Sequence, residues 1–386
     1  MMIIYLTDFD IKRHSAHTNQ IYKTISGFCA LDQRVILVAP KFKGQNSSLT
    51  LKNIEEGFGI DTKKLTLKLC PFSMKESTSK LIKRFTLFFW FTACLLQIKI
   101  KALKKPTKII IYSRSYIGSM LATIIIRGIS VIHEVHDYPL RKFQIKILNK
   151  IKVVCNSPET AKLIKDKLIH ENVIGLHNPA DEKQPSFQSR LNVRKELGMR
   201  PDYYYLVYTG KIYKDQIEIN QYLELASKLR NGIKIILVGG LNSVKDHYQK
   251  QFEHLKLSNI QITGKLSREQ VFKYQLAADG LLMYYDSSVK SLQYCSPVKL
   301  FEYIATGNVI YGAKSKSISN VLGENAFLIE PDNIEEFAEI IEATVGSTLA
   351  RQKGLAAQKL VQEYSSISRA KRIVEFANGD CNRDSS

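Results

Sequence analysis

The chain has 386 residues, of which 45% are hydrophobic and 24% are charged, so it is long enough for two or three globular domains with large cores. Its six cysteines lie far apart and form no C-x-x-C pair, which excludes the common zinc and dithiol motifs. Residues 1–180 carry a net charge of +17 and residues 181–386 only +3. This asymmetry favours phosphate-bearing partners, whether nucleic acid or an anionic membrane, unless lysine is simply the chain's general surface residue.

Short runs rich in β-branched residues alternate with longer amphipathic segments along the whole chain. The first series of runs is Met2–Thr7, Arg34–Ala39, Leu65–Leu69, Lys108–Ser113, Ser130–Val135, Lys152–Cys155 and Val173–Leu176. The second series is Tyr204–Thr209, Lys234–Val238, Gln261–Thr263, Gly280–Tyr284, Val309–Tyr311 and Phe327–Ile329. Nearly continuous apolar runs are typical of strands buried on both faces of a parallel sheet. The pattern therefore predicts an α/β fold of the doubly wound kind.

The polar stretch Asn178–Arg200 separates the two series of strands and indicates a domain boundary. We therefore predict a first domain over residues 1–180 and a second over residues 181–350. After Phe327 the pattern predicts helix through Ile334–Val345 and Leu349–Phe376. Residues 351–386 are long enough to run back to the first domain as a C-terminal helix.

The segment Lys75–Lys105 combines a net charge of +7 with an uncharged aromatic stretch, Phe85–Ile98. Fourteen helical residues span ~21 Å, which is shorter than the ~30 Å hydrocarbon core of a bilayer. We therefore expect Lys80–Lys105 to lie on an anionic membrane surface and not to cross the bilayer. The alternative is a core helix of the first domain with solvated ends, and one helix can serve both roles. Asp8 and Asp10 interrupt the N-terminal apolar run, so we expect no signal peptide and a cytoplasmic location.

Two segments in the first half place histidines just after a predicted strand. His136 follows the strand that ends at Val135, and His14 and His17 follow the first strand, with Arg13 beside them. Ligands of parallel α/β sheets bind at the carboxyl edge of the strands. His136 is therefore a candidate site residue; the alternative is that it caps a turn.

The segment Ser296–Gly307 is the clearest local signal in the second half. Ser296 at the N-cap, Pro297 at the first helical position and Gly307 past the end predict a helix of about ten residues. The exposed N–H groups of its first turn suit a pyrophosphate. Lys299 opposes the helix dipole there unless an anion is bound, and Glu302 could accept hydrogen bonds from ribose hydroxyls. An ordinary capped helix with a Lys–Glu pair fits these residues equally well.

This segment, with the pattern Ser-Pro-x-Lys-x-x-Glu-Tyr, resembles the donor-nucleotide motif of GT-B glycosyltransferases of the GT4-like kind, the glycosyl transferases group 1. Other segments resemble the same family in the order that the family shows. They are Tyr208–Lys211, Val238–Gly240, Ile262–Leu266, Ala277–Asp279 and Phe327–Pro331. The resemblance covers the second half of the chain well and the whole chain loosely.

The resemblance implies two Rossmann-like domains facing a central cleft, with the C-terminal helix crossing back to the first domain. It implies a nucleotide-sugar donor and a catalytic set of His136, Lys211 and Lys299, in which the lysines stabilise the leaving diphosphate. The donor-binding residues that it implies are Gly210, Lys214, Gly239, Gly264, Lys265, Ser296, Pro297, Val298 and Glu302. Arg13, His14 and His17 stand where the family has a loop near donor or acceptor, and they are the candidate acceptor contacts.

No Asp-x-Asp motif ends a predicted strand in the second half, and two lysines with a helix dipole make a divalent ion unnecessary. We therefore expect neither a metal nor another cofactor. The resemblance further implies retention of anomeric configuration, a saccharide or lipid-linked saccharide acceptor, and a role in bacterial surface polysaccharide synthesis, lipopolysaccharide or capsule, at the inner face of the cell membrane.

The chain departs from the family at Tyr294, where many members carry the first glutamate of a Glu-x7-Glu pair. The contacts to the donor sugar must therefore differ, and three alternatives stay open: a nucleotide-sugar epimerase, a phosphorylase, and a non-catalytic binding protein of the same fold. A nucleic-acid partner is not expected, because the sequence has no helix-turn-helix, zinc or RNP-type signature.

Overall fold

The computed structural model describes residues 1–11, 16–45, 47–58, 60–75, 77–104, 107–180, 187–285 and 287–379. The chain forms two units. The first comprises Met1–Pro179 and Tyr364–Ser386, and the second comprises Ala180–Glu363.

Strands and helices alternate along the chain. In chain order the elements before residue 180 are β1 (Met2–Leu6), α1 (Ala16–Ala30), β2 (Arg34–Phe42), α2 (Ser47–Phe58), β3 (Leu65–Met74), α3 (Lys80–Lys104), β4 (Ile109–Ser113), α4 (Tyr116–Ile125), β5 (Ser130–Val135), α5 (Lys142–Leu148), β6 (Lys152–Cys155), α6 (Pro158–Lys165) and β7 (Val173–Gly175). The elements that follow are α7 (Phe187–Glu196), β8 (Tyr204–Thr209), α8 (Ile217–Lys228), β9 (Ile233–Val238), α9 (Asn242–His254), β10 (Ile260–Ile262), α10 (Arg268–Ala277), β11 (Gly280–Met283), a 3-10 turn (Lys290–Gln293), α11 (Val298–Thr306), β12 (Val309–Ala313), α12 (Lys316–Leu322), β13 (Phe327–Ile329), α13 (Ile334–Thr344), α14 (Thr348–Lys359) and α15 (Ser366–Asn378).

The first unit is built on a parallel seven-stranded sheet in the order β3-β2-β1-β4-β5-β6-β7. β1 lies between β2 and β4, and its residues 3–6 are fully buried. Helices cover both faces, which is why the strands are apolar on both sides. The strand order reverses between β1 and β4, so the loops after these two strands flank the switch point of the sheet.

α15 returns to the first unit and packs along α1. A Cβ atom on Gly27 of α1 would lie 2.0 Å from the carbonyl oxygen of Ser366, so the two helices are in backbone contact. The Lys152 ammonium donates to the carbonyl oxygen of Phe376, at 2.6 Å. The return begins at Tyr364 and not at residue 351, because α14 packs against α11 and β12 of the second unit.

The second unit is built on a parallel six-stranded sheet in the order β10-β9-β8-β11-β12-β13. Its order reverses between β8 and β11. Asp279, just before β11, binds Arg190 and Arg194 of α7 at 3.0 and 2.7 Å and accepts from the backbone N–H of Tyr205. These contacts fix α7 at the amino edge of the sheet, opposite the loops that leave the carboxyl ends.

Each strand run predicted from the sequence overlaps an observed strand, and both sheets are doubly wound as expected. The end of the chain differs from the prediction: residues 330–379 form three helices, because residues 360–365 interrupt the predicted segment Leu349–Phe376. Ser365 caps α15 by accepting from the N–H of Ser368, so the interruption is the start of a new helix.

α3 is longer than the uncharged stretch inside it. The helix has 25 residues, or ~37 Å at 1.5 Å per residue, so the length argument against a membrane span was wrong. Lys80–Leu103 is long and apolar enough to cross a membrane. Core helices of soluble proteins can have the same length and composition. One face of α3, including Leu87, Phe91 and Leu95, is buried in the core of the first unit. The predicted end Lys105 lies outside the described residues.

Candidate active site

Three glycines meet at the carboxyl edge of the second unit's sheet. Gly210 follows β8 and Gly239 follows β9, and a Cβ atom on Gly239 would lie 2.0 Å from the carbonyl oxygen of Gly210. Gly239 also forms an antiparallel bridge with Gly264, just beyond β10. The backbone of Gly239 has φ +145°, a conformation that L side chains rarely adopt. The structure therefore brings three predicted donor-binding positions together at one edge of the sheet.

α11 begins one residue later than the sequence predicts. Pro297 is the N-cap, with extended backbone angles of −67° and 121°, so the prediction of Ser296 at the N-cap and Pro297 inside the helix was wrong. Ser296 is buried before the cap, and Val298 is the first helical residue. The helix ends at Gly307, which adopts the left-handed conformation that the pattern predicts.

The Lys299 ammonium lies against the turn after β8. Its Nζ is 4.0 Å from the ring centroid of Tyr208 and 5.0 Å from that of Tyr285. A Cβ atom on Gly210 would lie 3.2 Å from the same Nζ. One positive charge and the first turn of α11 therefore stand next to Gly210, an arrangement suited to an anion.

Glu302, one turn further along α11, is tied to the end of β8. The Nε2 of Gln275 donates to Glu302 Oε2 at 3.2 Å and to Thr209 Oγ1 at 3.0 Å. The hydroxyl of Tyr303 accepts from the backbone N–H of Thr209, at 2.9 Å. These bonds hold α11 against the β8 turn, and a carboxylate placed so can accept hydrogen bonds from hydroxyl groups.

The other predicted donor residues stand at the rim of this edge, and the side chains of Lys211, Lys214 and Lys265 are exposed. Lys211 directly follows Gly210 and Lys265 directly follows Gly264, so both are adjacent to the glycine turns. Lys214 lies further along the loop that leads to α8. For Lys299 a distance shows that the ammonium lies against Gly210. The positions of the other three lysines follow only from their neighbours in the sequence.

In the first unit His136 directly follows β5 and contacts Glu134, which forms a buried ion pair with Arg369. Its Nε2 is 2.9 Å from Glu134 Oε1, and the same oxygen is 2.9 Å from a guanidinium nitrogen of Arg369 in α15. The side chains of Glu134 and Arg369 are 1% and 4% exposed, and that of His136 is 11% exposed. Burial lowers the pKa of His136 to about 4, with a further contribution from the Arg114 charge, so the imidazole is neutral at pH 7.

Arg114, after β4, contacts His17, one of the candidate histidines of the first unit. Its guanidinium donates to the carbonyl oxygen of His17 at 3.2 Å and lies 3.3 Å from His17 Nδ1. The His17 ring stacks on Phe9 and is 6.4 Å, edge-on, from the His136 ring. The carboxyl edge at the switch point of this sheet therefore carries two imidazoles and a cation. Arg13 and His14 lie outside the described residues.

The sequence analysis did not identify several residues that contact the site residues at these two edges. Glu134 and His136 are two positions apart, so they share one face of the chain, and a charged residue inside an otherwise apolar strand is a detectable signal. Arg369 and Gln275 reach their partners from distant helices, and no local pattern marks them. Among the described residues, no group of three or more His, Cys, Asp or Glu side chains is arranged to hold a metal ion.

Residues 203–346 match the family model described as "Glycosyl transferases group 1". No curated protein sequence matches the chain.

Solved structures match over nearly the whole chain at low identity. HepE from Anabaena, crystallised with UDP and glucose, is 15% identical, with 98% of this chain and 100% of that chain covered and a TM-score of 0.70. A mutant of TarM from S. aureus, in complex with fondaparinux, α-GlcNAc-glycerol and UDP, is 14% identical, with 98% and 100% covered and a TM-score of 0.69. WaaG, a glycosyltransferase involved in lipopolysaccharide biosynthesis, is 12% identical, with 98% and 100% covered and a TM-score of 0.62. The predicted GT-B fold class is confirmed by this similarity.

Proposed function

We propose that the chain transfers a sugar from a nucleotide-sugar donor to a saccharide or lipid-linked saccharide acceptor, because residues 203–346 match the group 1 glycosyltransferase model and the chain has the GT-B fold. The proposal assigns the donor to the second unit and the acceptor to the first. A UDP-sugar is the first donor class to examine, since HepE and TarM were crystallised with UDP.

The observation that carries this proposal is the position of Lys299. Its ammonium lies at the β8 turn, beside Gly210 and in the first turn of α11. A cation there opposes the helix dipole, and a bound diphosphate removes that conflict. When the bond between the sugar and the diphosphate breaks, negative charge develops on the leaving phosphate oxygen. Lys299, Lys211 and the first N–H groups of α11 supply fixed positive charge to stabilise it.

The remaining roles follow from the chemistry of the side chains. Glu302, oriented by Gln275, accepts hydrogen bonds from the ribose hydroxyls of the donor. His136 contacts the sugar being transferred, and His17 and Arg114 contact the acceptor. The proposal includes retention of anomeric configuration and requires no divalent ion, because the cations and the helix start provide the positive charge that a metal would provide.

We further propose that the acceptor belongs to the synthesis of a bacterial surface polysaccharide, lipopolysaccharide or capsule, at the cytoplasmic face of the cell membrane. WaaG, which shares the fold, is involved in lipopolysaccharide biosynthesis. The exposed surface of α3 supports the same proposal. Its outward face carries Phe85, Phe89 and Ile100, all more than half exposed, and its ends are basic. The opposite face is buried in the first unit, which favours lying on an anionic leaflet over crossing it.

The test is nucleotide release from UDP-, GDP- and ADP-sugars, each with and without lipid-linked saccharide acceptors. A glycosyltransferase releases nucleoside diphosphate only when an acceptor is present and forms a glycosylated product. Product formation without an acceptor, dependent on inorganic phosphate, would identify a phosphorylase. Conversion of the donor sugar into its epimer without any acceptor would identify an epimerase, and tight binding with no turnover a binding protein.

A further inference from the structure

A chain of buried polar contacts links the C-terminal helix to His136. Arg369, in α15, is separated from Glu134 by 235 positions, yet their side chains meet at 2.9 Å. Arg369 is itself held in place, because its Nε donates to the carbonyl oxygen of His177 at 3.1 Å. Another of its nitrogens lies 3.4 Å from the hydroxyl of Tyr112. The guanidinium is thus fixed on three sides, by His177, Tyr112 and Glu134.

The contact between Glu134 and His136 determines which imidazole nitrogen carries the proton. Burial alone would raise the pKa of Glu134, but the charges of Arg369 and Arg114 outweigh it and hold this pKa well below its usual range. An ionised carboxylate only accepts hydrogen bonds, so the His136 Nε2 at 2.9 Å must carry a hydrogen and donate it. The neutral imidazole then has an unprotonated Nδ1.

The Nδ1 of His136 has no hydrogen-bond partner among the described residues. It is therefore available to a ligand, and its lone pair makes it an acceptor. A neutral imidazole with an acceptor at Nδ1 suits a hydroxyl group, which has a proton to donate. It does not suit a phosphate, which at neutral pH has oxygens that mainly accept.

We propose that Glu134 and Arg369 are positioning residues that fix His136 as the Nε2-protonated tautomer, so that its Nδ1 accepts a hydrogen bond from a hydroxyl of the sugar being transferred. This inference rests on the proposed function, which places His136 against that sugar. Arg369 acts through Glu134: it keeps the carboxylate ionised and aimed at Nε2. The C-terminal helix therefore contributes to the active site without contacting the substrate.

The experiment combines kinetics with nitrogen NMR of the full-length protein labelled with ¹⁵N-histidine, in which a His136→Asn variant assigns the signals. In the wild type we expect the chemical-shift pattern of the Nε2-protonated tautomer. Glu134→Gln keeps the size of the side chain but has an amide that also donates, so we expect loss of the single tautomer. Since misplacing a reacting contact costs about 10²-fold, we expect kcat to fall roughly 10- to 100-fold with the KM for the donor nucleotide unchanged.

Arg369→Met and Arg369→Lys separate positioning from folding. Arg369→Met leaves a buried carboxylate without its cation, so we expect a lower kcat and a mixed tautomer, and Arg369→Lys should restore most of both. The double variant of Glu134→Gln with Arg369→Met removes both charges and keeps the measurement possible if the single variant does not fold. Glu375→Gln, on the same helix and half exposed, is the matched control and should behave as the wild type.

Two outcomes distinguish the inference from the function beneath it. If the wild type transfers sugar while its His136 is protonated at Nδ1, or if Glu134→Gln leaves kcat unchanged, the inference is overturned and the proposed function stands. If the wild type transfers no sugar from any donor to any acceptor, the proposed function is overturned, and this role of His136 with it.

Discussion

Lys299 is placed where an isolated helix would not tolerate it well. A cation in the first turn faces the positive end of the helix dipole, at a cost of a few tenths to about 1 kcal/mol. The rings of Tyr208 and Tyr285 offset part of this cost through their negatively charged faces. Both rings also direct the ammonium toward Gly210, so the residue is oriented before any ligand binds.

Replacing Lys299 with methionine should therefore reduce catalysis more than stability. Methionine keeps the length and apolar character of the side chain and removes the charge from the leaving diphosphate. Loss of one charge-stabilising group typically costs about 10²- to 10³-fold in kcat, and we expect a decrease of that order. Steady-state release of nucleoside diphosphate measures it.

The control for this variant is Lys316→Met. Lys316 is the first residue of α12 in the same unit, so it also lies in a helix first turn, but it is exposed and distant in sequence from the glycine turns. Its replacement should leave turnover unchanged. Equal losses in both variants would mean that the effect reflects net charge and not the position of Lys299.

At the residue scale, the sequence predicted the groups that a short motif carries together. Lys299 and Glu302 are three residues apart on one helix, so their joint presence at one edge follows from helix geometry. The Gln275 bridge and the Arg369 contact depend on how distant helices pack, and no local periodicity encodes this. The N-cap was misplaced by one residue: proline favours the first helical position, but in the structure Pro297 is the N-cap.

α3 illustrates at the scale of one element how a helix can serve a core and a surface together. Its buried residues Leu87, Phe91, Leu95 and Ile98 recur at helical spacing on one face. The exposed hydrophobic residues of the helix recur on the other, with lysines and an arginine toward the ends. The sequence showed the charge and the aromatic cluster, but only packing shows which aromatic residues face outward. Trp90, which the aromatic cluster includes, packs on the core instead.

The double variant of Phe85→Ser with Phe89→Ser should release the protein from anionic membranes. Both side chains are exposed, by 57% and 68%, so their loss removes apolar contact with lipid and leaves the core intact. We expect the wild type to co-sediment with phosphatidylglycerol vesicles and not with phosphatidylcholine vesicles, and binding of the variant to fall severalfold.

Ile169→Ser is the matched control for membrane binding. Ile169 is 85% exposed in the first unit but lies outside α3, so its replacement removes a comparable hydrophobic side chain at another place. Vesicle binding by this control should match the wild type. Unchanged binding of the α3 variant would mean that α3 is only a core helix.

The contact between α1 and α15 predicts the direction in which replacing Gly27 with alanine changes stability. Alanine is normally better than glycine in a helix by up to about 1 kcal/mol. At Gly27, however, the new Cβ atom would lie 2.0 Å from the backbone oxygen of Ser366, which cannot move without shifting α15. We expect Gly27→Ala to destabilise the first unit by about 1–3 kcal/mol, whereas Ser26→Ala on the same helix should change little.

Trp90 makes this measurement specific. It is the chain's one tryptophan and packs, partly buried, against the core of the first unit, so its fluorescence reports unfolding of that unit. A denaturation midpoint that rises in Gly27→Ala would contradict the close approach of the two helices.

At the scale of the whole molecule, chemistry and charge are unevenly divided between the two units. Most of the net positive charge belongs to residues 1–180. The alternation of apolar runs with amphipathic segments predicted the two parallel sheets correctly. Each sheet has a switch point, and most of the site residues singled out from the sequence that the structure describes lie just after a strand or in the first turn of a helix. The order of strands within a sheet was beyond the sequence, because it depends on pairing between distant segments.

Three histidines among the described residues of the first unit have native environments that resist protonation. Burial, the largest effect at each, lowers the pKa of His133 to about 3 and those of His136 and His177 to about 4, from about 6.5 in the unfolded chain. Between pH 6.5 and 4 the unfolded chain binds protons that the native unit does not. Stability therefore rises with pH across this window and is lost as the pH falls, by up to about 1.4 kcal/mol per pH unit for each histidine.

We expect the denaturant midpoint reported by Trp90 fluorescence to be clearly lower at pH 5 than at pH 7.5. A His136→Asn variant no longer has one of the three groups, so its midpoint should depend on pH less steeply than that of the wild type. Carboxylates with lowered native pKa values lose their contribution only below about pH 4.5, so they do not produce the same change in this window. If the midpoint stayed constant from pH 7.5 to 5, the buried, neutral state of these histidines would be wrong. The donation from His136 to Glu134 would then lack one of its supports.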